Sequence, residues 1–183
     1  FFIPMTEFQQ KLLAIAILVF VVIMNIISTK YGGIIQVIST IGKLIPIASI
    51  VIFGLVMGTA HDFRSIPVIT EGAGFGTAIL GTLWAYDGWL GVTNMAGELK
   101  NPAKEMPRAI VLGVSSVTLI YALMNIAMLN VMSIEDIAAS SRPVSDVAVE
   151  IFGNAGAALI TAGIMISVFG AMNGYLMTGA RVP

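Results

Sequence analysis

The sequence has 183 residues, of which 57% are hydrophobic and only 10% are charged, with a net charge of −1. An ordinary soluble domain is about 25% charged, so this composition, with a mean hydropathy of +0.96, indicates an integral membrane protein. The basic residues are dispersed along the chain, which argues against a nucleic-acid-binding protein. Because the chain has no cysteine, disulfides and thiolate metal sites are excluded.

The single histidine, His61, lies beside Asp62 in a polar connection. A metal site needs several ligands, so a lone imidazole is better interpreted as a solvated loop residue. No motif pairs a nucleophile with a base, and we expect no enzymatic activity, no metal site and no cofactor.

The chain begins at Phe1 without a basic segment or cleavage site before the first apolar run, and it ends abruptly at Pro183. We therefore expect a piece of a longer protein with no signal peptide to remove. Windows of about 20 apolar residues are long enough for an α-helix to cross the hydrocarbon core, which is about 30 Å thick. The sequence predicts an all-α membrane domain over residues 1–183. Its five windows are residues 8–27, 34–57, 75–96, 107–131 and 155–179.

The first two windows predict helices with distinct ends and one charged interior position. Thr6 is predicted to cap the first helix, and Gly32 with Gly33 predicts a tight reversal after it. The second helix carries Lys43 on the order of 14 Å from its start, near mid-membrane. Pro46 removes an amide donor close to this lysine, so we expect a bend there.

The third window is interrupted at its middle, where Asp87 and Gly88 are adjacent. Glycine weakens a helix, and a carboxylate at mid-membrane costs about 2.5 to 3.5 kcal/mol. A helix broken in two offers a use for such a pair, because its freed main-chain groups can line a cavity and hold a polar ligand. The sequence therefore predicts two half-helices, with the gap at Tyr86–Gly88.

The remaining elements are predicted from caps and small residues. Pro107 suits the first turn of the fourth helix, and Ser133 is predicted to cap a short helix outside the membrane. Residues 145–152 predict another short helix. The last helix is rich in small residues that let neighbouring helices approach closely. These include Gly163, Gly170 and Gly174.

Charged and aromatic residues near mid-membrane leave several interpretations open. Lys43 and Asp87 could pair with each other, Asp87 could cap the second half-helix, or one of the two could belong to a substrate or ion pathway. Trp84, Tyr86 and Trp89 could anchor the chain at the membrane surface or pack against other helices. They flank the break, however, so they could equally form a wall or gate over a binding cavity.

The distribution of Lys and Arg predicts the orientation of the chain in the membrane. One side carries five of these residues and the other carries three, so the richer side is predicted to be cytoplasmic. The N-terminal end is then outside and the C-terminal end inside. The richer side holds Lys30, Lys100, Lys104, Arg108 and Arg181, and the other holds Lys11, Arg64 and Arg142.

The broken window and the loop after it carry a family resemblance. The segments LWAYDGW and GELKNPAKEMPRAI closely resemble the sixth helix and next intracellular loop of the amino acid–polyamine–organocation superfamily. The nearest resemblance is to its L-amino-acid transporter branch, including bacterial serine/threonine exchangers. Asn173-Gly174 and Gly42-Lys43-Leu44 are similar to parts of that family's eighth and fifth helices. The resemblance implies helices four to eight of a twelve-helix protein.

The family fold implied is an inverted-repeat (5+5) core in which helices one and six are unwound and bind the amino acid through backbone groups. By resemblance, Trp84 matches an aromatic gate, and Lys43 matches a lysine that replaces a sodium ion, which disfavours a Lys43–Asp87 pair. Ser167 is expected to face the same region. Leu90 departs from the family, because many relatives carry Asn there. The residues that match the unwound substrate segment are Ala85, Tyr86, Asp87 and Gly88.

The function implied is secondary transport of amino acids across the plasma membrane by alternating access, as sodium-independent exchange or proton-coupled uptake. The alternatives are a membrane sensor that binds amino acids without translocating them, and a channel. The implied partners are a small-molecule amino acid, the lipid bilayer and the missing helices one to three and nine to twelve, with an accessory subunit left open. Without the family's glycine-rich first helix, this chain is not expected to transport unaided.

Overall fold

The structure, a computed structural model, describes residues 5–27, 29–59 and 74–180. His61, Arg64 and Arg181 lie outside these ranges. All regular secondary structure in the described part is helical, which confirms the all-α prediction. The helices are α1 (Glu7–Ile27), α2 (Thr29–Met57), α3 (Phe75–Ala85), a 3₁₀ helix (Trp89–Glu98), α4 (Pro102–Val131), α5 (Ile134–Ala139), α6 (Pro143–Phe152) and α7 (Asn154–Gly179).

Four of the described helices, α1, α2, α4 and α7, are long and apolar enough to cross a membrane. The predicted third crossing is divided between α3 and the 3₁₀ helix. At about 1.5 Å per α-helical residue and about 2.0 Å per 3₁₀ residue, these two pieces are about 16 Å and about 20 Å long. Each piece is shorter than a core of about 30 Å, whereas their summed length exceeds it, and a crossing formed by the two stays a prediction.

Two predicted helix caps are present. The Gln9 amide donates to Thr6 Oγ1 at 3.3 Å, and the Thr6 amide donates to Gln9 Oε1 at 3.0 Å. This reciprocal pair satisfies donors that a helix start leaves open. Ser133 likewise accepts a hydrogen bond from the Asp136 amide at 3.1 Å and starts α5.

Two local predictions differ from the structure. Gly32 and Gly33 do not form a reversal, because α2 already begins at Thr29 and both glycines are helical. A Cβ atom on Gly32 would clash with Oδ1 of Asn25 on α1 and come 3.1 Å from Met177 Sδ, so this glycine makes room for both α1 and α7. The fourth helix starts at Pro102, and this proline takes the first turn predicted for Pro107.

The most extensive helix contact joins α2 and α7. A Cβ atom on Gly163 of α7 would come 2.5 Å from Pro46 Cγ, and one on Gly170 would come 2.7 Å from Ser39 Cβ. The two glycines therefore bring the helix backbones together, as small residues do in membranes. Helix α2 continues through Pro46, whose ring fills the space that Gly163 leaves open.

The contact between α2 and α7 is called the seam below. Buried amide side chains connect it to neighbouring helices. Asn173 of α7 is fully buried. Its Nδ2 donates to the Gly32 carbonyl at 3.0 Å and to Gln36 Oε1 at 3.1 Å, and its Oδ1 accepts from Asn25 Nδ2 at 2.9 Å. Because polar groups buried without partners are costly, this set of bonds fixes the relative positions of α1, α2 and α7.

A second amide, Asn130 of α4, closes the end of α2. Its Nδ2 donates to the carbonyl of Gly54 at 2.8 Å and lies 3.3 Å from that of Gly58. The Gly54 carbonyl also accepts from the Gly58 amide at 3.2 Å, so Asn130 adds a side-chain donor at the end of α2. An apolar cluster of α2, α4, α6 and α7 residues adjoins this end. Its buried members are Ile50, Met128, Val147, Ala148 and Ile160.

Candidate functional site

The predicted break is present between α3 and the 3₁₀ helix. Helix α3 ends at Ala85, and the next amides turn back by three residues: Tyr86 bonds to the Leu83 carbonyl and Asp87 to the Trp84 carbonyl, both at 3.2 Å. Gly88 then has φ of +98°. Residues with a Cβ rarely adopt this left-handed conformation, which explains a glycine at this position.

Main-chain groups in the break are left without partners. Among the described residues, none bonds to the amides of Gly88, Trp89 and Leu90 or to the carbonyls of Tyr86 and Asp87. Such groups are tolerated at membrane depth only where they are buried in protein or line a cavity. The break therefore presents both donors and acceptors for a polar ligand.

A cavity of about 620 Å³ adjoins the break and is also bordered by α2 and α7. Lys43 and Asp87 both line it, as does Gly88. The two charged residues, both of which the structure describes, form no ion pair with each other. Asp87 Oδ2 instead accepts a long hydrogen bond of 3.4 Å from the hydroxyl of Tyr175 on α7. Asp87 therefore makes neither the ion pair with Lys43 nor the side-chain cap on the second half-helix that the sequence left open as interpretations.

The predicted site residues fall into three groups. Asp87, Gly88 and Lys43 share the large cavity. Ala85 and Tyr86 border a second cavity of about 290 Å³ between the break and α4, which Asp87 also reaches. Trp84 is 83% exposed and borders neither of these two cavities.

Ser167 lies apart from the break. It lines a smaller cavity of about 140 Å³ between α2, α4, α6 and α7, together with Lys43. Lys43 therefore stands between this cavity and the large one. Ser167 thus shares a cavity with Lys43 and not with residues 86–88, and its part in substrate binding stays a prediction.

Sequence reasoning missed Gln36 and Tyr175, which line the large cavity, and Tyr121, which contacts the break from α4. Gln36 precedes Lys43 by seven residues, or two helical turns, so both lie on the same face of α2. The spacing of a polar residue from an intramembrane lysine could therefore have predicted that Gln36 lines the same cavity as Lys43. Tyr121 offers no comparable signal, because its partner is a main-chain carbonyl.

The family model for amino acid permeases matches residues 1–183 of the chain. The chain belongs to the amino acid permease family. It is 43% identical over 174 residues to the serine/threonine exchanger SteT of Bacillus subtilis, covering 94% of the chain and 40% of that relative. It is 33% identical over 181 residues to the human b(0,+)-type amino acid transporter 1, covering 94% of the chain and 36% of the relative. The chain thus spans less than half the length of these relatives.

Membership of this family confirms the resemblance to the amino acid–polyamine–organocation superfamily. It also fits the all-helical membrane fold with its interrupted crossing. The placement of the chain as helices four to eight stays a prediction.

Proposed function

We propose that the chain is part of a secondary transporter that moves amino acids across the membrane by alternating access. The observation that carries the proposal is the set of main-chain groups in the break that have no partner among the described residues, beside a cavity that α2 and α7 also line. The relatives named above, an exchanger and a transporter of amino acids, support it further.

The two sides of the break suit the two charged groups of an α-amino acid. The carbonyls of Tyr86 and Asp87 lie at the C-terminal end of α3, where the helix dipole is negative, and suit an ammonium group. The amides of Gly88 and Trp89 lie at the start of the 3₁₀ helix, where the dipole is positive, and suit a carboxylate. A zwitterion fits this arrangement better than either ion alone.

Main-chain recognition also explains how a site can serve more than one amino acid. Amide and carbonyl groups contact only the atoms that all α-amino acids share. Leu90, which by the resemblance stands where many members of the family carry Asn, offers no side-chain hydrogen bond beside the break. Discrimination between substrates then belongs to side chains around the cavity and to helices outside this chain.

Lys43 is proposed to act in place of a bound sodium ion. It lines the large cavity with its positive charge unpaired by Asp87, on a helix anchored against α7. A fixed ammonium group there supplies the charge that a sodium ion would otherwise bring. Transport is then sodium-independent, either as exchange or as proton-coupled uptake.

The surrounding protein completes the transporter in this proposal. Helices one to three and nine to twelve supply the rest of the inverted-repeat core, in the plasma membrane, with an accessory subunit left open. The N-terminal end of the chain faces outside and the C-terminal end faces the cytoplasm, as the Lys and Arg distribution favours.

Counterflow in proteoliposomes containing the full-length protein tests the function. Vesicles loaded with unlabelled L-serine should take up labelled L-serine faster than empty vesicles, and the rate should saturate and be equal with and without sodium. A sensor would bind the amino acid without this exchange, and a channel would show no acceleration or saturation. Strict dependence on sodium would reject the role given to Lys43 while leaving transport itself in place.

A further inference from the structure

Helix α4 contacts the break through side chains that do not line the large cavity. The Tyr121 hydroxyl donates to the carbonyl of Ala85, the last residue of α3, at 3.0 Å. The Tyr86 hydroxyl donates to Thr118 Oγ1, also at 3.0 Å. The rings of Tyr86 and Tyr121 meet edge to face with their centroids 5.3 Å apart. Two hydrogen bonds and a ring contact therefore join the break to one face of α4.

The direction of these hydrogen bonds is defined. The Thr118 hydroxyl donates its own proton to the Val114 carbonyl at 2.9 Å, so toward Tyr86 it can only accept. Tyr86 must then be the donor. Thr118 and Tyr121 are three residues apart and share a face of α4, which lets both reach the break together.

The hydroxyl of Tyr121 determines which carbonyl of the break is free. Where a helix ends, its last carbonyls lose their amide partners, and in a membrane each of them needs another donor. Tyr121 takes the Ala85 carbonyl, whereas those of Tyr86 and Asp87 have no partner among the described residues. The first carbonyl open to a ligand is consequently that of Tyr86.

The same contacts hold the side chain of Tyr86 against α4. Its hydroxyl is bonded to Thr118 and its ring packs against Tyr121. We propose that Tyr121 and Thr118 are positioning residues that hold the break in its ligand-binding shape. Tyr86 then serves the amino acid through its main chain only, with its side chain as the anchor. This inference rests on the proposed function and assigns to α4 a part in the same site.

The first experiment removes one hydroxyl and keeps the ring. Tyr121→Phe in the full-length protein should raise the dissociation constant for labelled L-serine about fivefold, the effect of losing one hydrogen bond. The rate of exchange at saturating L-serine should change little. Tyr31→Phe is the matched control, because Tyr31 is 51% exposed on α2 and its hydroxyl has no partner among the described residues. Its affinity should equal that of the unmodified protein.

A double-mutant cycle tests the second bond. Tyr86→Phe and Thr118→Val each remove the same hydrogen bond, so the double variant should bind L-serine no more weakly than the weaker single variant. Effects that multiply in the double variant would show that the two side chains act independently. That result would overturn the anchor role of Tyr86, and it remains measurable if Tyr121→Phe fails to fold.

Hydrogen exchange separates this inference from the proposed function. In Tyr121→Phe, the amides of residues 86–90 should exchange faster than in the unmodified protein, while those of α2 and α7 should not change. If the unmodified protein shows no saturable amino acid binding, the proposed function fails, and the exchange rates still test the support from α4. If binding is present but Tyr121→Phe alters neither affinity nor exchange, the inference is wrong and the function stands.

Discussion

The seam between α2 and α7 and the broken third crossing use glycine in opposite ways. In the seam, Gly163 removes a side chain so that the Pro46 ring can approach the helix backbone. In the break, Gly88 supplies a positive φ in a place where an added Cβ would meet no described residue within 4 Å. The seam places regular helices in close contact, and the break stops a helix to free main-chain groups.

The seam and the break also differ in how many of their residues are buried. Helix α7 contains six buried residues, whereas neither α3 nor the 3₁₀ helix contains any. Within this chain, the irregular backbone lies on exposed elements that contact α4 and α7, beside the closely packed pair α2 and α7. Lys43 lies on the packed pair but faces the cavity of the break. The packed pair thus places a charge beside the main-chain groups of the break.

The largest expected effect is on the seam. Gly163→Leu would force a side chain into Pro46, and such overpacking costs about 1 to 3 kcal/mol or more. We expect a sharp loss of monodisperse full-length protein and a lower unfolding midpoint in detergent. Gly81→Leu on α3 is the matched control, since a Cβ there meets nothing within 4 Å among the described residues. Equal losses for the two variants would contradict the division into seam and break.

The second-largest effect is expected from removing the charge of Lys43, which lies on α2 and lines the large cavity. Lys43→Ala should lower L-serine exchange by about 10- to 100-fold, as loss of a charged hydrogen-bonding group costs about 1.5 to 3 kcal/mol. Membrane insertion and the unfolding midpoint should be retained. Lys100→Ala, in the exposed loop after the 3₁₀ helix, should exchange normally. Normal exchange by Lys43→Ala would remove the lysine from the mechanism.

A smaller effect is expected from the amide network of the seam. Asn173→Ala removes one partner each from Asn25 and Gln36 and should lower the free energy of unfolding by about 1 to 3 kcal/mol. Thermal unfolding of the purified protein measures this loss. Because Gln36 also lines the large cavity, L-serine affinity should fall only modestly. A large loss of affinity with unchanged stability would place Asn173 in the site instead of the seam.

The sequence predicted the break because its cause is local. A carboxylate beside a glycine in an apolar window is unfavourable in a continuous helix, so Asp87 and Gly88 mark the interruption directly. The 3₁₀ form of the second half was not predictable, because residues 89–98 carry no pattern that separates three from 3.6 residues per turn. The prediction of a reversal at Gly32 was wrong because glycine occurs both in tight reversals and at close helix contacts.

Contacts between different helices could not be predicted from the sequence. The match of Pro46 with Gly163 depends on the register of two helices that lie more than one hundred residues apart in the chain. The bond from Tyr121 to Ala85 depends on a main-chain carbonyl, which no residue type reveals. The cavity that Ser167 shares with Lys43 likewise depends on how α2 and α7 pack, and the part of Ser167 in substrate binding stays a prediction.

A structure of the full-length protein with a bound amino acid tests the central claim most directly. We predict that the ligand's carboxylate lies about 3 Å from the amides of Gly88 and Trp89 and its ammonium about 3 Å from the carbonyls of Tyr86 and Asp87. An amino acid bound elsewhere, with regular helical bonding through residues 86–88, would contradict it.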